Sequence, residues 1–167
     1  PEIRLAGIGT VSGNIDAKQA AVNTLDLLAM GGKGDVPVAV GAMDPLTHSF
    51  SGGVPHIHGR NGVGNVELPH TDRGPEAESA ADMLVRLAHE HPGELDVIAI
   101  GPLTNLAIAL KQDPSIAERI ATHWTAFEKL APRDPRIDAS FLFERALAHT
   151  NVATREHLVA AIDDYLA

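Results

Sequence analysis

Three places in this chain combine residue types and spacings that could support chemistry. His56-Ile-His58 sets two imidazoles two residues apart, the beginning of a metal pair, although two histidines seldom hold an ion without further ligands. Gly101-Pro-Leu-Thr-Asn105 lies between a short apolar run, Val97 to Ile100, and a helical pattern, Leu106-Ala-Ile-Ala-Leu110. A strand that stops, turns tightly and opens a helix puts its turn at the carboxyl edge of a sheet, where ligands bind in open α/β folds. Asn14 ends the turn Ser12-Gly-Asn. Each feature also has a plainer account. Asn14 suits any turn that needs unusual φ, His58 suits a surface loop, and Thr104 suits a helix N-cap, its hydroxyl accepting from free first-turn amides.

Bulk properties narrow the chemistry. The chain has no cysteine, so thiolate nucleophiles, disulfides and cysteine-zinc sites are excluded. Its net charge of −9, from 13 basic and 22 acidic residues, argues against nucleic acid as a partner, because phosphate binding needs a basic face. At 167 residues it is long enough for one domain with a real core. Aromatics make up only 4%, so that core must be Ala, Val, Ile and Leu, which suits parallel strands covered by helices. No apolar run approaches the ~20 residues of a membrane span, and the start lacks a signal-peptide pattern. A soluble, cytoplasmic protein is the expectation. The first residue is Pro1 rather than Met, which points to a start inside a longer gene product.

The elements that must position these residues follow in order. Ile3 to Val11 predicts a strand weakened by two glycines. Asp16 caps a helix from about Ala17 to Met30, with Ala21, Leu25, Leu28 and Ala29 as an apolar stripe, ended by Gly31-Gly32. Val36 to Val40 predicts a second strand, with Pro37 near its start. Residues 41–75 form a long irregular loop with few apolar anchors, expected to be poorly ordered until a ligand fills the edge it covers. Glu76 to Glu90 predicts the next helix, followed by the strand at Val97 and the helix at Leu106. The order β-α-β-loop-α-β-α implies an α/β fold: an open parallel sheet with helices on both faces. Beyond that the pattern is helical. Ser115-Ile-Ala-Glu118 reads as a capping box for a helix running through Trp124 to about Leu130. Asp138 and Thr154 cap two more helices, the last with Leu158, Val159, Ile162 and Leu166 on one face. The chain divides into an α/β core, residues 1–120, and a helical tail, residues 121–167. The tail either closes the sheet as a helical subdomain or packs on another subunit.

Three segments, in order and suitably spaced, resemble the nucleoside hydrolase family, the inosine-uridine preferring enzymes. They are Thr10-Val-Ser-Gly-Asn14, then Val38 to Leu46 leading into His58-Gly-Arg-Asn-Gly62, and then Gly101-Pro-Leu-Thr-Asn105 with Leu-Ala-Ile-Ala-Leu after it. The resemblance covers about Ile3 to Ile120. It implies hydrolysis of the N-glycosidic bond of ribonucleosides to base and ribose, in purine and pyrimidine salvage. It implies that Asn14 hydrogen-bonds the ribose, that His58 sits beside the nucleobase, and that the Thr104 backbone carbonyl coordinates a calcium ion. Such chemistry passes through an oxocarbenium-like sugar, with the metal holding ribose hydroxyls and orienting water and an Asp as general base.

Two parts of the family pattern are missing. The Asp-rich loop after the first strand, source of the calcium carboxylates and the base, has no counterpart, so no catalytic residue is identified in this chain. Asp163-Asp164 is no substitute, since it lies in a helical pattern with no Gly turn before it. The later portion, with its ribose loop and His-Asp pair, is absent too. The alternative is therefore a non-catalytic scaffold or oligomerisation module of the same fold. A third possibility, an unrelated α/β protein binding phosphate on a Gly-rich turn, needs a basic group near a helix start, and none stands near Gly101. The expected partners are a small nucleoside and further copies of the chain, since missing strands would leave core surface exposed.

Overall fold

The computed structural model describes residues 3–46 and 48–120. It divides into two compact units, Pro1–Leu84 and Val85–Ala167. The tail helices expected at residues 121–167 lie outside the described residues.

The first unit is built on a βαβ turn of chain. Strand β1 (Ile8–Gly9) pairs in parallel with β2 (Val38–Ala39), with Ile8 opposite Val38 and Gly9 opposite Ala39. Parallel strands need a crossover, and helix α1 (Ala17–Met30) supplies it. Its boundaries follow local chemistry. The Asp16 carboxylate accepts the Gln19 N–H at 2.9 Å, and the Gly31 N–H returns to the Leu27 carbonyl at 2.9 Å. Most of the apolar stripe faces the sheet: Ala21 and Leu25 are buried with Val38, and Ile8, Leu28 and Val40 pack around them, while Ala29 is exposed. Both strands are shorter than the sequence predicts. The pairing nevertheless continues past them, since the Thr10 N–H donates to Ala39 at 3.0 Å and the Ser12 N–H to Ala42 at 3.2 Å.

Residues 41–75 differ from the structureless loop expected. They contain a short helix, α2 (Pro55–His58), and a series of hydrogen-bonded turns. The anchors are polar rather than apolar, so a hydrophobic pattern could not reveal them. The Asp26 carboxylate, 5% exposed on α1, accepts the Thr71 N–H at 2.9 Å and lies 3.2 Å from His70 Nδ1. Arg73 donates to the carbonyls of Gly34 and Val36 and pairs with Glu76. The Glu76 N–H then reaches the Val38 carbonyl at 2.8 Å and Ala80 reaches Val40 at 3.0 Å. These bonds hold 76–79 against β2, so helix α3 (Ala80–Glu90) starts four residues later than predicted. Ser79 and Asp82 cap it reciprocally.

The second unit corrects two expectations. Residues 97–100 form no strand among the described residues, and Ile98 and Ile100 are 72% and 95% exposed. A strand exists only through a paired neighbour, and no described residue ladders with this segment. Helix α4 (Thr104–Gln112) is capped by Leu103, without a side-chain bond. The Leu103 carbonyl accepts the Ala107 N–H at 2.9 Å, so Thr104 is already inside the first turn and is buried there. Ser115 stands immediately before the helical stretch at 116–120, and the Asp113 carboxylate accepts its N–H at 2.9 Å. Ile116, Ala117 and Ile120 are buried, as are Leu106, Ala107, Ala109 and Leu110 of α4. No helix among the described residues is long and apolar enough to cross a membrane.

Candidate functional site

The parallel pair sends two turns from its carboxyl ends, and both carry residues singled out by sequence. After β1, Thr10 and Ser12 are buried and fasten the turn to its neighbours. The Thr10 hydroxyl donates to the Ala17 carbonyl at 2.8 Å and accepts from the Gly41 N–H at 3.4 Å. The Ser12 hydroxyl lies 3.4 Å from the Ala42 carbonyl and 3.3 Å from the Met43 sulfur. Buried polar groups need such partners, and here they rivet the turn after β1 to the turn after β2. Asn14 follows, exposed, its side chain making no hydrogen bond among the described residues.

Asn14 also supports the second turn through its backbone. Its carbonyl accepts the Val54 N–H at 3.1 Å, and Val54 is the cap of α2. Pro55 opens that helix at a position where its missing N–H costs nothing. The His58 N–H donates to the Val54 carbonyl at 3.0 Å, and Gly59, at φ 75°, closes the helix. The structure thus brings Asn14 and His58 into one unit, joined through Val54. Thr104, first residue of α4, belongs to the other unit.

Sequence reading missed the parts that hold this arrangement. In the sequence Ser12 and Asn61 figure only as members of motifs, with no structural role of their own, and Asn65 is not singled out. The available signal was the run Gly59-Arg-Asn-Gly-Val-Gly-Asn65, in which asparagines alternate with glycines as positive-φ turns require.

A calcium ion takes six to eight oxygen ligands, usually with several carboxylates. Among the described residues no three His, Cys, Asp or Glu side chains gather as a metal-holding group. His56 and His58 stand without a third ligand. Thr104 offers one neutral carbonyl, which a helix directs along its axis toward the amide four residues on. The described residues therefore do not fit a divalent ion by themselves.

This is an α/β protein with its candidate site at the carboxyl end of a parallel strand pair. The family model for inosine-uridine preferring nucleoside hydrolase matches residues 1–125, and the chain belongs to that family. Uridine nucleosidase 1 of Arabidopsis thaliana is 43% identical over 124 residues, covering 72% of this chain and 36% of that protein. Two solved structures superpose on it, a plant nucleoside hydrolase with a TM-score of 0.68 and a purine-preferring ribonucleoside hydrolase from Gardnerella vaginalis with 0.67. Each is 36% identical over 72% of this chain, which covers 38% and 39% of them respectively. The chain thus spans little more than a third of the length of the relatives it matches.

Proposed function

We propose that this polypeptide is the nucleoside-gripping part of a ribonucleoside hydrolase, a protein that cleaves the N-glycosidic bond to release base and ribose. Asn14 holds a ribose hydroxyl and His58 faces the base. The observation that supports the reading is the Asn14–Val54–His58 connection, which ties the two residues proposed to contact ribose and base to one turn. An amide side chain can both donate to and accept from a hydroxyl, and an imidazole can donate to or accept from a base edge. Bond cleavage builds positive charge on the sugar, so a grip on the ribose that strengthens as charge develops lowers the barrier. The same reading extends the strand pair to an open parallel sheet with helices on both faces, in a cytoplasmic homo-oligomer that serves nucleoside salvage.

A second reading, a scaffold without chemistry, is favoured by the lack of a metal-holding group among the described residues. Calorimetry with uridine, inosine and calcium, and an assay for released ribose, separate the two. We expect the 167-residue chain to bind nucleoside, to lose about tenfold in affinity on Asn14→Ala, to bind calcium no tighter than about millimolar, and to release no detectable ribose. Absence of nucleoside binding would leave the scaffold reading. Calcium-dependent ribose release would show that carboxylates such as Asp44, Asp72 or Asp163 complete the site.

A further inference from the structure

The loop that follows His58 is organised by one side chain. Asn61 Oδ1 accepts the N–H of Val63 at 3.1 Å and of Asn65 at 2.8 Å, and its Nδ2 donates to the Val66 carbonyl at 2.8 Å. Asn65, at φ 61°, accepts the Arg60 N–H on its own side chain at 2.7 Å. The Gly64 N–H returns to the His58 carbonyl at 2.7 Å. The loop is closed on itself with His58 at its root.

It is also seated on α1. The Asn61 carbonyl accepts Asn23 Nδ2 at 2.7 Å, and Asn23 Oδ1 accepts Gln19 Nε2 at 3.0 Å. A Cβ on Gly62 would stand 3.0 Å from the Ile15 side chain, so the loop rests against the residue next to Asn14. His58 needs this support. Its side chain has no hydrogen bond among the described residues, and it ends a helix of four residues, too short to hold itself.

We infer that Asn61 is the positioning residue for His58 and that Asn23 is its tether to α1, the two together setting discrimination between bases. The inference rests on the reading that His58 faces the base. Asn61 touches neither base nor ribose in this account. It acts by fixing where the imidazole stands relative to Asn14.

The test uses the full chain with Asn61→Ala, Asn61→Asp and Asn23→Ala. Three quantities are read: the ring resonances of His58 by NMR, assigned by their loss in His58→Gln; amide exchange at Gly64 and Asn65; and calorimetric affinity for uridine and inosine. N61A should shift the His58 resonances, speed exchange at both amides, and weaken binding about tenfold while the uridine-to-inosine ratio moves toward one. N61D keeps both accepting bonds and should recover part of that loss. N23A should shift the resonances and weaken binding about fivefold with Gly64 exchange unchanged, and it decides the matter alone if N61A fails to fold. Unchanged His58 resonances and an unchanged affinity ratio in N61A and N23A would overturn the inference. If the unsubstituted chain binds neither nucleoside, the site reading fails, while the resonances and exchange still decide the positioning.

Discussion

The backbone carbonyl of Asn14 accepts the Val54 N–H at 3.1 Å, so the residue proposed to hold ribose also holds the start of the helix that carries His58. Gly53 makes this approach possible. A Cβ there would stand 2.5 Å from the Asn14 oxygen, and its φ of 75° already disfavours a side chain. Gly52 has φ 102° but open space around it. Gly53→Ala should therefore cost about 2–3 kcal/mol in denaturant unfolding, and Gly52→Ala about 1 kcal/mol. Equal losses would mean that strain alone, and not the close approach, matters at this turn.

Asp26 gives a second expectation. Its buried carboxylate is the acceptor for the Thr71 N–H, while His70, 70% exposed, faces it from the solvent side. Asp26→Ala strands a donor and should destabilise the chain by about 1–3 kcal/mol. His70→Ala removes only an exposed partner and should cost less than about 1 kcal/mol. Urea titrations of both variants, with exchange at the Thr71 amide, check the ranking; a larger loss for His70→Ala would reverse it.

A third expectation is pH dependence from Asp113. The bond from His89 at 2.6 Å, then the bonds from Ser115, hold its carboxyl down to about 2 from an ordinary 3.8. A depressed folded-state value means the carboxylate's contribution is fully present above about 3.8 and is lost as pH falls toward 2. Asp113→Asn should therefore be less stable than the unsubstituted chain at pH 5, and the difference should shrink between pH 4 and pH 2. Both groups are partly exposed, so the difference is small and weakens with salt. A gap that stays constant down to pH 2 would contradict the assignment.

What the sequence disclosed followed the physics it could express. Helix α1 was legible to the residue, because Asp16, the apolar stripe and Gly31 are all local signals. The two strands, the turn with Asn14 and the loop with His58 were legible as motifs. Residues 97–100 were misread because an apolar run states a preference for burial without naming a partner to pair with. Thr104 was misread by one position, since a Thr suits a cap or a buried first turn equally well until the Leu103 carbonyl is seen to take the first bond. Asn23 and Asp26 were invisible because their bonds reach residues 38 to 45 positions away, whereas the bonds of the Asn61 side chain are local and were overlooked.

Ile98 and Ile100 give the fourth expectation. Both are largely exposed. An apolar segment that pairs with no described residue invites another chain. Light scattering should show self-association rising across the micromolar range, and Ile100→Lys should reduce it. A monomer unaffected by either concentration or substitution would contradict this.

The interlocking of Gly59, Asn61, Gly62, Gly64 and Asn65 has a consequence for engineering. Each residue is both clamp and clamped: Asn61 binds the Asn65 amide, Asn65 binds Arg60, and a Cβ at Gly59 would collide with the Asn65 nitrogen at 2.6 Å. Such a loop resists retouching at Gly59, Asn61 or Asn65, because a change at any of them breaks a bond or a close fit made elsewhere in it. It is a cassette. To present a different side chain in place of His58, residues 58–66 are best grafted whole from a donor loop, with Asn23 and Ile15 kept as the socket that receives it.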